Sequence, residues 1–214
     1  MSNEDIERIA PIKATLYQHQ INAVRFVCQL FAMFGGVPAS NGAALLMEMG
    51  TGKSLTSIVI AGLLFKYKFI SKILVVAPLS ILGVWEEEFS KFADFPYNLV
   101  VLKGSSEKKR QQLKTLPESE LNIVVVNYES AWRLERELSI FAADLIIADE
   151  GHKLKENRTA QSKCMHHLGD QTRYKLLLTG TVIVGKELDV YSQYRYANKD
   201  IFGASFFAFR NHFF

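Results

Sequence analysis

The sequence is short of cysteine. It has two, Cys28 and Cys164, each in an apolar, helix-compatible stretch, and neither belongs to a zinc-type spacing. A disulfide framework is excluded, and the two thiols read as buried side chains of a reducing compartment. An apolar signal core is missing too. Residues 1–14 carry Glu4, Asp5 and Glu7 and read as a polar tail. The longest apolar runs, such as residues 58–65, are too short to span a bilayer. No low-complexity tract and no fixed-period repeat occurs. Charge is not extreme: 25 Lys and Arg stand against 22 Asp and Glu, a formal balance of +3. That suits a nucleic-acid partner without requiring one. His166-His167 has no third ligand at metal spacing.

What is present is a chain of 214 residues, 49% hydrophobic and 22% charged, enough for one good-sized α/β domain with a core. The stretch everything else is arranged around runs Ala43-Ala44-Leu45-Leu46-Met47-Glu48-Met49-Gly50-Thr51-Gly52-Lys53-Ser54. A short apolar run ends in a glycine turn, and residues 55–65 then continue as an apolar helix. Strand, glycine turn and helix, in that order, are the context of a phosphate-binding loop. Glycines let backbone N–H groups converge on phosphate oxygens, and the helix start adds the positive end of its dipole. Met49, Gly50, Thr51, Gly52, Lys53 and Ser54 are the candidate cradle. Lys53 is a point charge for the β- and γ-phosphates, and the Ser54 hydroxyl is an oxygen ligand for Mg²⁺. The first glycine of the full G-x-x-x-x-G-K-[ST] pattern is absent, its place taken by Met47.

Further on, residues 73–77, 99–102, 123–126, 145–148 and 176–178 are continuous apolar runs. Unbroken apolarity marks strands buried on both faces, hence a parallel sheet. Between them lie helical periodicities. Ile21, Val24, Val27, Phe31 and Phe34 recur at helical spacing before Gly35-Gly36. Ser80 is placed to cap a helix through Trp85, Phe89 and Phe92. A charged helix is expected at about 108–116 and another at about 130–138. The fold class is α/β: an open, mainly parallel sheet with helices on both faces. Active residues are then expected where the strands end.

Residues 144–152 supply the second half of a nucleotide site. An apolar strand ends in Asp149-Glu150. Triphosphate hydrolysis needs Mg²⁺ secured and a water oriented in line with the γ-phosphate. Asp149 suits the first task and Glu150 the second.

These motifs together resemble the first RecA-like lobe of superfamily-two DEAD/DEAH-type helicases, in the Swi/Snf-like branch. Asp149-Glu150-Gly151-His152 is similar to the DEAH box, with Gly151 in the alanine position. Leu178-Thr179-Gly180-Thr181 resembles motif III, and residues 16–20 resemble the signature upstream of the phosphate loop. Pro78-Leu79-Ser80 with Trp85 and Glu88 resembles motif Ia. Asn127-Tyr128-Glu129 stands at the branch's Tyr-Glu motif. The resemblance runs over residues 16–214 and implies a P-loop NTPase that hydrolyses ATP with Mg²⁺ to move on duplex DNA. It implies that Gln20 reads the adenine edge, that His152, Thr179 and Thr181 couple the nucleotide to DNA, and that Ser80, Asn127, Tyr128 and Lys155 lie along nucleic acid. Motif III departs from the pattern: Val182 stands in the proline position, and residues 183–186 replace a polar segment.

The organisation expected is a tail at 1–14, an ATP-binding lobe at 15–200, and a Phe-rich start of a further segment at 201–214. The partners implied are DNA and a second RecA-like lobe outside this chain, with ATP hydrolysis weak without that lobe. The chain is expected to be a monomer, intracellular (cytoplasmic, nucleoid or nuclear), with no membrane partner. Two rivals stand beside this reading: a nucleotide-gated DNA-binding module without motor activity, and a P-loop ATPase with no nucleic-acid partner.

Overall fold

The computed structural model describes residues 3–181 and 188–213. Six strands form one sheet: β1 (Gly42–Leu46), β2 (Lys72–Ala77), β3 (Asn98–Val101), β4 (Asn122–Asn127), β5 (Leu145–Asp149) and β6 (Tyr174–Thr179). Every neighbouring pair is parallel, in the order β1-β6-β5-β2-β4-β3. All the apolar runs read as strands are strands. Their unbroken apolarity has the expected cause, because side chains alternate between two buried faces. Ile73, Val75, Ile123, Val125, Leu145, Ile147, Leu176 and Leu178 face one core, and Leu74, Val76, Val124, Val126, Ile146, Ala148 and Leu177 face the other.

The first core is covered by α1 (Asn3–Ile9), α2 (Gln18–Leu30), α3 (Lys53–Lys66) and α4 (Leu82–Phe92). In α3 every residue from 55 to 65 is buried, so this helix is apolar all round and lies inside the layer rather than on it. A short helix, α5 (Ser106–Lys114), follows β3, capped by Ser105, whose hydroxyl accepts from the Lys108 N–H. The second core lies beneath α6 (Tyr128–Arg133), α7 (Glu135–Phe141), α8 (Ala160–Gln171) and α9 (Asp189–Ala197). Two last helices, α10 (Lys199–Phe202) and α11 (Phe206–Phe213), bring the Phe-rich stretch back onto α9. There Phe206 and Phe209 pack their rings on Tyr191, and Phe202 packs on Tyr194.

Four local expectations are corrected. Residues 3–9 are helical rather than a tail, and Ile6 is fully buried; two apolar side chains among charges, Ile6 and Ile9, are too few to establish a period. Helix α2 stops at Leu30 instead of reaching Phe34. Ala32 turns left-handed (φ 50°), and the Met33 and Ala32 N–H groups return to the Cys28 and Gln29 carbonyls, the hydrogen-bond pattern that ends helices. Ser80 does not cap α4. It is exposed in a single 3-10 turn, Leu79–Ile81, ahead of that helix. The helix expected at 130–138 is broken at Leu134 into α6 and α7.

The crossovers divide the carboxyl edge of the sheet. The ends of β1, β6 and β5 lie side by side, and those of β2, β4 and β3 lie beside them. Ligands of open α/β sheets bind along such an edge.

Candidate nucleotide site and the adjoining groove

On the first half of the edge, β1 runs into the glycine turn. Gly50 and Gly52 both have positive φ, 80° and 86°, a conformation that glycine adopts without strain. Gly52 is needed for a second reason: a Cβ there would lie 2.2 Å from Gln20 Nε2. The Lys53 ammonium folds back over the loop, donating to the Met47 carbonyl (2.9 Å) and the Glu48 carbonyl (3.0 Å). Met47 contributes to the loop through its backbone, so a side chain at the missing-glycine position is accommodated. Ser54 lies in the first turn of α3.

Gln20 is 3% exposed. Its carbonyl accepts the Tyr17 N–H (2.9 Å), and its amide donates to the Thr51 carbonyl (3.1 Å). His19 Nε2 lies 2.9 Å from the same Thr51 carbonyl, and the Tyr17 ring stacks on the His19 ring. Gln20 is therefore a tether between the start of α2 and the phosphate loop. A base can pair with this amide only if that tether opens. No local pattern around Gln20 marks this second use of the side chain.

Next to the loop, β6 ends at Thr179, whose carbonyl accepts the Met47 N–H (3.2 Å). The Thr179 hydroxyl donates to the Thr181 carbonyl and accepts the Thr181 N–H, closing a tight polar turn. A Cβ on Gly180 would meet the Met47 carbonyl at 3.3 Å, so this turn lies against the phosphate loop. Val182 and residues 183–186 fall outside the described residues.

β5 delivers Asp149, 6% exposed. Its Oδ1 accepts the Glu150 N–H (2.8 Å) and its Oδ2 accepts the Trp85 indole N–H (3.0 Å). Burial pushes the Asp149 carboxyl above its ordinary range. The two donors and nearby Lys53 pull it back, and Glu150 adds to the upward push. Glu150 itself is left-handed (φ 52°), a strained conformation for a residue with a side chain and one found at functional sites. Its carboxylate lies 3.1 Å from His152 Nδ1. Gly151 packs flat on Leu177, and a Cβ there would come within 2.5 Å of that side chain.

The second half of the edge forms a groove of about 650 Å³, lined among others by Leu79, Leu82, Lys103, Ser105, Lys109 and Asn127. Arg133 on its wall is paired with Glu129 (2.7 Å), and Lys109 donates to the Ser130 hydroxyl (2.6 Å). Asn127, 9% exposed, has a side-chain oxygen with no hydrogen-bond partner. Such an atom calls for a ligand or an ordered solvent. Of the residues expected along nucleic acid, Ser80 and Lys155 are exposed and Asn127 lines the groove. Tyr128 is different. It is 5% exposed and its hydroxyl donates to the Asp149 carbonyl at 2.7 Å, so it faces the sheet rather than the surface. Among the described residues no cluster of His, Cys, Asp or Glu is dense enough to hold a metal by itself. Mg²⁺ bound through substrate phosphates requires only one or two carboxylates.

The profile of the SNF2-related domain matches residues 19–214. The chain belongs to the SNF2-related family. It is 27% identical over 203 residues to a "DNA repair and recombination protein RAD54-like" of Drosophila grimshawi, covering 89% of this chain and 25% of that protein. It is 28% identical over 195 residues to a "Probable chromatin-remodeling complex ATPase chain" of Oryza sativa subsp. japonica, covering 91% and 17%. Among solved structures, "Sulfolobus solfataricus SWI2/SNF2 ATPase core in complex with dsDNA" superposes with a TM-score of 0.78 and 28% identity over 94% of this chain and 39% of that one. The chain thus spans about a quarter or less of the curated relatives' length. Within the SNF2-related family it is the first RecA-like lobe, with the all-parallel sheet and two-sided helices of that fold.

Proposed function

We propose that this lobe binds ATP with Mg²⁺ on the first half of its carboxyl edge, lays duplex DNA along the second, and contributes to ATP-driven movement on DNA. One observation carries the reading: the phosphate loop, Asp149-Glu150 and the Thr179–Thr181 turn meet on three adjacent strands, directly beside a groove walled by basic side chains. The relatives' names, DNA repair and chromatin remodelling among them, support a DNA partner, as does a neighbouring structure solved with dsDNA.

The donor set fits the metal. A hydroxyl from Ser54 and a carboxylate from Asp149 are hard oxygen ligands, and the Asp149 carboxylate is desolvated, so its charge favours a cation. When bound, Mg²⁺ neutralises charge on the β- and γ-oxygens. The chain's own residues do the rest. On nucleotide binding Lys53 exchanges its two loop carbonyls for phosphate oxygens. The loop N–H groups and the start of α3 cradle the anion. Glu150, its carboxylate steadied by His152, orients and polarises the attacking water. Thr179, bonded to the loop through the Met47 N–H, and Thr181, bonded to Thr179, report its state to the groove. Ser80, Lys155 and Asn127 contact the nucleic-acid backbone. Tyr128 is reassigned from contact to support.

Among the described residues, no arginine is placed to neutralise charge developing on the γ-phosphate in the transition state. Arg133 is paired with Glu129 on the groove side, and Arg136 follows on α7. An arginine finger in trans is worth roughly 10³–10⁵ in rate. We therefore propose that the 214-residue chain binds ATP but turns it over slowly, and that a second RecA-like lobe completes the site. The test is steady-state ATP hydrolysis by this chain and by the chain extended through a second lobe, each with and without duplex DNA, together with DNA affinity against salt. The expected result is DNA-stimulated turnover in the extended protein alone, and DNA binding that falls steeply with salt. Turnover without any effect of DNA would favour an ATPase with no nucleic-acid partner. Salt-sensitive DNA binding without turnover would favour a nucleotide-gated clamp.

A further inference from the structure

Asp149 is held by more than its own strand. Each of its three oxygens accepts one donor: the Glu150 N–H on Oδ1, the Trp85 indole on Oδ2, and the Tyr128 hydroxyl on the main-chain carbonyl. Two of these donors are aromatic side chains from different helices. Trp85 sits on α4 and is 1% exposed, and Tyr128 opens α6 and is 5% exposed. Both helices also build the groove, through Leu82 and Gly83 on α4 and Asn127 and Ser130 at the start of α6.

We propose that Trp85 and Tyr128 are positioning residues that fix the Asp149 carboxylate for Mg²⁺. The inference rests on the reading of Asp149 as a metal-holding side chain. A carboxylate with a free χ2 rotation presents its oxygens to a metal in many orientations. Here the indole N–H and the Glu150 N–H define the carboxylate plane from opposite ends, and the tyrosine hydroxyl fixes the backbone from which the side chain departs. Outer partners of this kind orient the ligand and tune affinity. The indole has one polar atom, and it points at the carboxylate. A phenylalanine would fill most of the same apolar space without that donor. Because the two struts come from helices that wall the groove, a shift of either wall on duplex binding moves a donor on Asp149.

The experiment measures binding of a fluorescent ATP analogue to the 214-residue chain as Mg²⁺ is titrated, and again in EDTA. The proteins are the parent, Trp85→Phe, Tyr128→Phe and Phe89→Leu. Phe89 lies one turn along α4, fully buried, its ring 6.1 Å from that of Trp85, so its truncation loosens the same core without touching Asp149. Trp85→Phe is expected to raise the Mg²⁺ half-saturation about tenfold or more. Its metal-free affinity should move no further than that of Phe89→Leu. Tyr128→Phe, nearly isosteric, is expected to shift Mg²⁺ in the same direction by less. Equal Mg²⁺ half-saturation in Trp85→Phe and Phe89→Leu would overturn the proposal, as would a loss of equal size with and without metal. Should Trp85→Phe not fold, an unchanged half-saturation in Tyr128→Phe overturns it instead. A parent that binds nucleotide without any Mg²⁺ dependence would remove the reading beneath the proposal, an outcome visible before any variant is compared.

Discussion

Gln20→Ala separates two roles for one side chain. If the amide reads adenine, its loss weakens ATP and leaves GTP and stability alone. The structure argues for a tether. Truncation removes the acceptor for the Tyr17 N–H, part of a reciprocal cap at the start of α2, worth about 1 kcal/mol. It also removes a donor to the Thr51 carbonyl, worth about 1 kcal/mol more, although His19 still reaches that oxygen. The total is about 2 kcal/mol. For a domain of this size that lowers Tm by roughly 4–8 °C. With the phosphate loop released from α2, ATP and GTP should weaken together, because both lean on the same loop. Gly52→Ala, whose Cβ would collide with Gln20 Nε2, should give the same paired effect from the other side. The assays are thermal unfolding and equilibrium binding of both nucleotides. Selective loss of ATP with an unchanged Tm would refute the tether and restore the base-reading role.

Three further outcomes are expected. Glu150→Gln keeps size and polarity but loses the charge that polarises water; in the chain extended through a second lobe it should bind ATP with Mg²⁺ and fail to hydrolyse it, and parental turnover would show the carboxylate to be idle. Lys175, 2% exposed, has its ammonium pulled down to about 8 by burial, with Asp170 opposing and Arg195 and Lys199 assisting. In the unfolded chain the group titrates near 10.5. Between those values the unfolded state binds more protons, so stability should rise from pH 8 toward 10.5, and Lys175→Met should flatten that rise in pH-dependent denaturation. Ala32→Gly places glycine at the left-handed end of α2 and should add about 0.5–1 kcal/mol, read as a higher urea midpoint.

Strands were legible because burial on both faces leaves an unbroken apolar run, and the nucleotide site was legible because its chemistry requires particular letters at strand ends. Other features left no such mark. Ile6 and Ile9 are two apolar residues in a charged stretch, too short a pattern to announce a helix. Helix α8 buries Ser162, Cys164 and Gly169, small residues that print no hydrophobic stripe. Trp85 and Tyr128 looked like a core residue and a surface contact, because a side chain's hydrogen-bond partner across the sheet is set by strand order, and the order β1-β6-β5-β2-β4-β3 is not written locally. Gln20 was visible as a polar residue upstream of the loop, but the partners of its amide depend on how α2 meets the glycine turn.

Gly151 has a consequence for how this chain can change. Where the DEAH pattern carries alanine, the space for its methyl group is filled here by Leu177 from the neighbouring strand. The two positions form a lock of volume between the turn after β5 and strand β6. Gly151→Ala alone should therefore be a loss. Paired with Leu177→Ala it should recover much of that loss. A substitution path to alanine is then easier once the leucine has become smaller, so the order of the two changes matters.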